Sequence, residues 1–322
     1  MRRRRLGRTD LELSALGYGA WGIGRAQWIG ADDDLSLRAL ARAFELGVDF
    51  VDTALAYGDG HSEQLVGKAV RAAGGGIRVA TKVPPRNGEW PARAGVAADD
   101  VFPADWVVEC TERSLRNLGL DTIDLQQFHV WSDEWVEEGS WREAVERLKV
   151  DGKIRHFGIS VNDHEPDNGV LLVESGAVES VQVIYNIFEQ RPADGILPAA
   201  ERAGVGVIAR VPFDEGALTG RIRPDTTFPE DDWRNDYFGG DRKTAVWERV
   251  LALSSELGVP VEDMPEIALR FCLSHPAVST VIAGMRSLAN VDANAAAAGQ
   301  GRLGERELAV LSGHRWDKNF YR

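Results

Sequence analysis

The sequence predicts a closed (β/α)8 barrel, and three observations carry that expectation. Short β-rich runs alternate with amphipathic helical patterns from one end of the 322 residues to the other, which implies parallel pairing through right-handed crossovers. The β-rich runs number eight, enough to close such a sheet on itself. No G-x-G-x-x-G leads from the first run into a helix, because "GYGAWGIG" at 17–24 spaces its glycines differently. The phosphate fingerprint of the competing fold, an open doubly wound sheet, is therefore missing.

The elements follow in order. "RRRRLGRTDLELS" reads as two short strands around a turn at Gly7 to Asp10, a hairpin placed to plug the amino-terminal mouth with its arginines on a solvated edge. The barrel strands are expected at Ala15 to Trp21, Val48 to Ala54, Ile77 to Val83, Thr122 to His129, Ile154 to Ser160, Ser180 to Asn186, Val205 to Val211 and Val278 to Gly284. Between them "DDLSLRALARAFELG", "SEQLVGKAVRAAG", "ADWVVECTERSLRNLG" and "SWREAVERLKVDG" have helical periodicity and end in the glycine expected just past a helix. The stretch from Ala217 to Thr244 is too long and too rich in Gly, Pro and Asp for an ordinary connection. It follows the seventh strand, at the functional face, and is a candidate lid. "HRWDKNFYR", the polar and aromatic ending, is expected to fold back over the barrel mouth. Residues 1–322 are thus read as one barrel domain.

Composition narrows the function. A formal charge of −13 repels phosphate, so neither nucleic acid nor an anionic membrane is an expected partner. No run approaches the ~20 apolar residues of a membrane helix, and the charges that follow "MRRRR" do not read as an export signal. Cys110 and Cys272 lie in helix-like segments, as reduced thiols of a cytoplasmic protein would, and their spacing provides no metal site. The sequence does not distinguish a monomer from a homo-oligomer.

In a barrel, chemistry gathers at the carboxyl ends of the strands. Asp52 ends the second, Tyr57 follows in its loop, Lys82 ends the third and His129 ends the fourth. A lysine beside a phenol should lower the tyrosine pKa from about 10, and an aspartate paired with that lysine fixes its position. Tyr57 then serves as a proton donor and acceptor, and His129 can orient a carbonyl oxygen. This constellation points to carbonyl reduction or its reverse.

"LGRTDLELSALGYGAWGIG", "GVDFVDTALAYGDGHSEQLVGKAV", "VATKV", "SLRNLGLDTIDLQQFHVW", "GKIRHFGISVN", "VQVIYNIFEQ", "GALTG" and "VIAGMRSLANVDAN" resemble the aldo-keto reductase family, in order and approximate spacing, over nearly the whole chain. The resemblance implies a catalytic tetrad of Asp52, Tyr57, Lys82 and His129. It also implies a nicotinamide cofactor, NADPH before NADH, bound extended without a Rossmann fold or a metal, whose hydride passes to a carbonyl carbon. Gln182 and Ser160 match the family's carboxamide contacts. Gly284, Arg286 and Asn294 match its adenine and 2'-phosphate segment, in which Asn290 stands where glutamine or arginine is more usual. Arg210 occupies the place of an aromatic that stacks on the nicotinamide; we read it as stacking there, or else as paired with Asp214 or Glu215.

Aromatic residues at the mouth could wall a small-molecule carbonyl substrate, Trp21 and Trp131 first, with Trp28, Trp233, Tyr237, Phe238, Trp316, Phe320 and Tyr321 as further candidates. Two rival readings are a non-catalytic nicotinamide-binding regulatory subunit of the same fold and a barrel hydrolase or lyase using Asp52 and Lys82, with Lys82 as a Schiff-base nucleophile.

Overall fold

A computed structural model describes residues 1–25 and 28–321. Strands β1 (Arg3–Arg5) and β2 (Glu12–Ser14) form an antiparallel hairpin. Eight parallel strands then close a barrel: β3 (Leu16–Gly19), β4 (Phe50–Asp52), β5 (Arg78–Val83), β6 (Ile123–Phe128), β7 (Ile154–Ser160), β8 (Ser180–Ile184), β9 (Gly206–Arg210) and β10 (Val278–Gly284). Each lies inside its expected run, and β10 pairs with both β3 and β9 to complete the ring. No helix among the described residues is long and apolar enough to cross a membrane.

The barrel interior is layered by the two-residue period of its strands. Phe50, Ala80, Leu125, Ile208 and Ile282 point inward at the lower level and pack with Leu6, Leu11 and Leu13 of the hairpin. The hairpin is therefore a plug. Gly7 makes its turn possible: its φ is +52°, and a Cβ there would lie 2.3 Å from the amide nitrogen of Gly206. The arginines form the solvated edge expected of them, Arg4 alone being half-buried, and they also make bonds. Arg4 donates to the carbonyls of Val278 and Leu273, Arg8 donates to Gly176 and Val178, and Arg3 pairs with Asp49. They fasten the plug to the barrel floor.

Helices Asp33–Glu45, His61–Ala72, Ala104–Leu118 and Trp141–Val150 cover the outside, as their apolar stripes require. Asp32 caps the first by accepting from the Leu35 amide at 2.7 Å. Around β6 and β7 the outer layer is aromatic: Phe128, Trp131, Trp135, Trp141 and Phe157 pack ring against ring. Trp131 belongs here, fully buried, with its indole N–H donated to Asp133 at 2.9 Å. It does not line the barrel mouth. The chain turns outward after His129, so adjacency in sequence does not carry the tryptophan into the site.

The long segment after β9 holds a short helix, Arg234–Tyr237, before helix Arg242–Leu257. It packs with the carboxyl-terminal tail: Lys318 forms a buried ion pair with Asp214 at 2.9 Å, Tyr321 donates to Glu215, and the Tyr321 ring stacks on Trp233 at 6.2 Å. Arg322 lies outside the described residues.

Candidate active site

One step above the apolar layer, the same alternation turns polar. Asp52 stands two residues past Phe50, Lys82 two past Ala80, Gln127 two past Leu125 and Arg210 two past Ile208. Lys82 Nζ is the hub. It donates to Asp52 Oδ1 at 2.5 Å, to the Thr53 carbonyl at 2.9 Å and toward Tyr57 Oη at 3.3 Å, and it is fully buried. The second carboxylate oxygen of Asp52 accepts from Gln127 Nε2 at 3.0 Å and Gln182 Nε2 at 2.8 Å. Gln182 also donates to Gln127 Oε1 at 3.2 Å. Each charge in this buried cluster is met by an opposite charge or a polar partner, as a low-dielectric site demands.

Gln127 is absent from the residues singled out by sequence, although its signal is there. It faces Lys82 across the β5–β6 register, just as Leu125 faces Ala80. Ser62, in the first turn of helix His61–Ala72 that follows the Tyr57 loop, is buried and donates to the Ala20 carbonyl at 2.9 Å. It ties the end of β3 to the loop that carries Tyr57.

The electrostatics correct one expectation. Burial raises the Tyr57 pKa, and the opposing charge of Lys82 does not overcome it. The phenol therefore holds its proton at neutral pH, where the sequence alone points to a lowered pKa. Burial also works against the Lys82 ammonium, but Asp52 and Tyr57 outweigh it and the pKa is raised. His129 is held well below its ordinary value by burial and then by the Lys82 and Arg210 charges. Its imidazole is neutral, lies edge-on to the Tyr57 ring at 5.4 Å, and has a buried Nδ1 with no partner among the described residues.

Arg210 is paired, but with neither residue named from the sequence. Its Nη2 donates to Asp163 Oδ1 at 2.7 Å and to the Val161 carbonyl at 3.0 Å, while Asp214 and Glu215 are taken by the tail. Asp163 offsets the positive charge. Ser160, buried, sits opposite Gln182 in the β7–β8 register. At the end of β10, Gly284 is exposed with open space beside it, and Arg286, two residues on, lies over the Trp28 ring at 4.8 Å. Asn290 gives its backbone N–H to the Ser287 capping oxygen at 3.2 Å, and the buried Asn294 has an Nδ2 with no partner among the described residues.

Trp21 lies at the mouth, 6.5 Å from the Tyr57 ring and 5.2 Å from Trp233. Trp28, Trp233 and Tyr321 complete a roof above the tetrad. Trp90 is a further residue that sequence alone does not single out: it packs edge-on against His129 at 4.5 Å from the loop after β5. Its place in a long polar loop at a strand's carboxyl end is the available signal.

The match to known families decides the class. The model described as Aldo/keto reductase family matches residues 15–315. The chain belongs to the aldo/keto reductase family. The oxidoreductase YqkF of Bacillus subtilis is 31% identical over 315 residues, covering 98% of this chain and 96% of that protein. Among solved structures, the holo form of aldo-keto reductase AKR11C1 from Bacillus halodurans is 29% identical, with a TM-score of 0.75 over 99% of this chain and 97% of that one. The glycerol dehydrogenase AKR11B4 from Gluconobacter oxydans is 28% identical, with a TM-score of 0.77 over 97% and 94%. This aldo/keto reductase is accordingly an enzyme of C=O and CH–OH oxidoreduction.

Proposed function

We propose that the chain, acting as one catalytic unit over residues 1–322, reduces the carbonyl of an aldehyde, ketone or keto-sugar with NADPH, and that Tyr57 is the general acid. The observation that carries this reading is Lys82 Nζ 3.3 Å from the Oη of a protonated tyrosine. Bound NADPH would supply the hydride. Gln182 and Ser160 would orient its carboxamide; Gln182 has its N–H on Asp52, so its amide oxygen is the atom for a carboxamide N–H. Arg210 would border the nicotinamide, and Gly284, Arg286, Asn290 and Asn294 would hold the adenosine 2'-phosphate end. The buried donors Arg210 Nε, Trp28 Nε1, Trp233 Nε1 and Asn294 Nδ2, which have no partner among the described residues, fit an extended anionic ligand. Arg286 favours NADPH over NADH, since a guanidinium suits a phosphate.

Within the chain, Tyr57 Oη delivers its proton to the carbonyl oxygen, and Lys82 stabilises the phenolate left behind. Asp52, fixed by Gln127 and Gln182, keeps Lys82 charged and aimed. His129, neutral, donates a hydrogen bond to the same oxygen. The Gluconobacter relative is named for glycerol, which supports a hydroxylated substrate. The free, buried thiols of Cys110 and Cys272 suit work in a reducing cytoplasm.

A panel of aldehydes, ketones and keto-sugars followed at 340 nm with NADPH and NADH tests the reading. Cofactor consumption that depends on the carbonyl supports it. NADPH binding, seen as fluorescence quenching, with no turnover on any member would favour the regulatory subunit instead.

A further inference from the structure

A recess of about 480 Å³ lies at the opposite end of the barrel from the tetrad, between the hairpin plug and the start of β10. Its lining includes Arg2, Arg3, Arg4, Arg5, Arg302 and Ser279, and no Asp or Glu among the described residues. The whole chain carries 50 acidic side chains against 37 Lys and Arg. The recess is therefore a local reversal of the molecule's charge.

Three of these guanidiniums converge without a carboxylate. Arg4 donates through Nη1 to the Val278 carbonyl at 2.7 Å and through Nη2 to the Leu273 carbonyl at 2.6 Å. Arg302 donates to the Ser274 carbonyl, at 3.0 Å from Nε and 2.5 Å from Nη2. These acceptors are neutral, so they fix the two guanidiniums and leave their charges uncompensated. Arg2 lies beside them, since a Cβ on Gly301 would stand 2.7 Å from its Nη2. Its side chain has no hydrogen bond or ion pair among the described residues. Arg3, in contrast, is taken by Asp49, and Arg5 donates to the Thr9 carbonyl at 2.8 Å. The trio is close enough to interact: burial, then the charges of Arg302 and Arg2, holds Arg4 below the usual arginine pKa. Like charges held together cost free energy, and a bound anion offsets that cost.

The donors match phosphate. A guanidinium has five N–H donors; Arg4 and Arg302 each use two on carbonyls and keep the rest. Ser279 is 6% exposed, and its Oγ accepts from the Val207 N–H at 3.3 Å, which leaves its own proton without an acceptor among the described residues. Charge and size then select the ligand. Three uncompensated guanidiniums exceed the charge of a single phosphate group, about −2 at most. The volume suits a small molecule, and the negative field of the rest of the chain disfavours a long polyanion such as nucleic acid. A chain of two or three phosphates meets both limits, with oxygens that guanidiniums bind in pairs.

We propose that this recess in the barrel floor binds the di- or triphosphate group of a small molecule, held by Arg2, Arg4 and Arg302 with Ser279 as a further donor. The site is separate from the tetrad and does not depend on the reductase reading. Arg2→Gln is the most informative variant, because the Arg2 side chain holds nothing else in place. In isothermal titration with sodium tripolyphosphate, without magnesium, the wild type should bind one equivalent. The affinity should fall about tenfold in Arg2→Gln, the effect of losing one charge-assisted bond, and should be unchanged in Arg286→Ala at the barrel mouth. The wild-type melting temperature should also rise with tripolyphosphate and not with sodium sulfate at the same ionic strength. ATP used in place of tripolyphosphate identifies the source: tighter binding assigns the site to a nucleotide, and equal binding to the phosphate chain alone. No binding by the wild type at millimolar tripolyphosphate would overturn the proposal. So would wild-type affinity in Arg2→Gln, sulfate binding as tight as tripolyphosphate, or an affinity lost in Arg286→Ala instead.

Discussion

Replacing Lys82 with methionine removes the hub of the site while keeping its length. Lys82 Nζ lies 3.3 Å from Tyr57 Oη; at an effective dielectric of about 20, a unit charge pair at that separation is worth roughly 5 kcal/mol. With the tyrosine proton about half transferred in the transition state, about half of that stabilisation is lost, so turnover should fall on the order of 10²-fold. Stability falls as well. Asp52, 1% exposed, would be left with only Gln127 and Gln182 as side-chain donors, and orphaning one partner of a buried pair costs about 3–5 kcal/mol. The double variant Lys82→Met with Asp52→Asn removes both charges and should regain most of the stability but none of the rate. Urea denaturation gives the first quantity and carbonyl turnover at 340 nm the second. A single variant within threefold of wild-type turnover, or a double variant that recovers the rate, would refute the role given to Lys82.

Other perturbations separate the remaining contacts. Gln127→Leu deprives Asp52 of one donor and Gln182 of one acceptor, so the protein should lose about 1–3 kcal/mol of stability in denaturant titration. The accompanying loosening of Gln182 should weaken NADPH binding in a fluorescence titration. Arg286→Ala should raise the Kd for NADPH about 10- to 100-fold and leave NADH nearly unchanged, because a charge-assisted bond to phosphate contributes about 1.5–3 kcal/mol; equal losses for both would remove the 2'-phosphate role. Glu215 is raised from 4.5 to about 7, chiefly by burial and then by Asp214 and Asp163, against the bond from Tyr321. A folded pKa above the unfolded value means that this contribution to stability is complete below 4.5 and is lost as pH rises through about 7. Proteolytic release of the tail should therefore increase between about pH 4.5 and about pH 7 in the wild type and lose that dependence in Glu215→Gln.

Much of the fold is legible because its signals are local. Strand runs, glycine stops and the hairpin turn are each written within a few residues, and β3 to β10 lie inside the expected runs. Asp52, Lys82 and His129 are legible for a related reason: a strand's carboxyl end can be located from the strand itself. What escapes depends on neighbours distant in sequence. Gln127 acquires its place from the β5–β6 register, and Arg210 finds Asp163 across from β7 rather than an acid on its own loop. Trp131 is misplaced by sequence because strand alternation stops at Phe128 and the chain then turns outward. The Tyr57 pKa moves opposite to the expectation because a sequence names the nearby cation but does not reveal the burial that outweighs it.

Tyr57→Phe is the most direct test, since it removes one oxygen and leaves the ring between Trp21 and His129. In single-turnover stopped flow with saturating NADPH and an accepted aldehyde, cofactor oxidation should slow by ~10²-fold or more, as loss of a general acid does, with NADPH affinity unchanged. A Tyr57→Phe variant that oxidises NADPH at the wild-type rate would show that the proton comes from elsewhere.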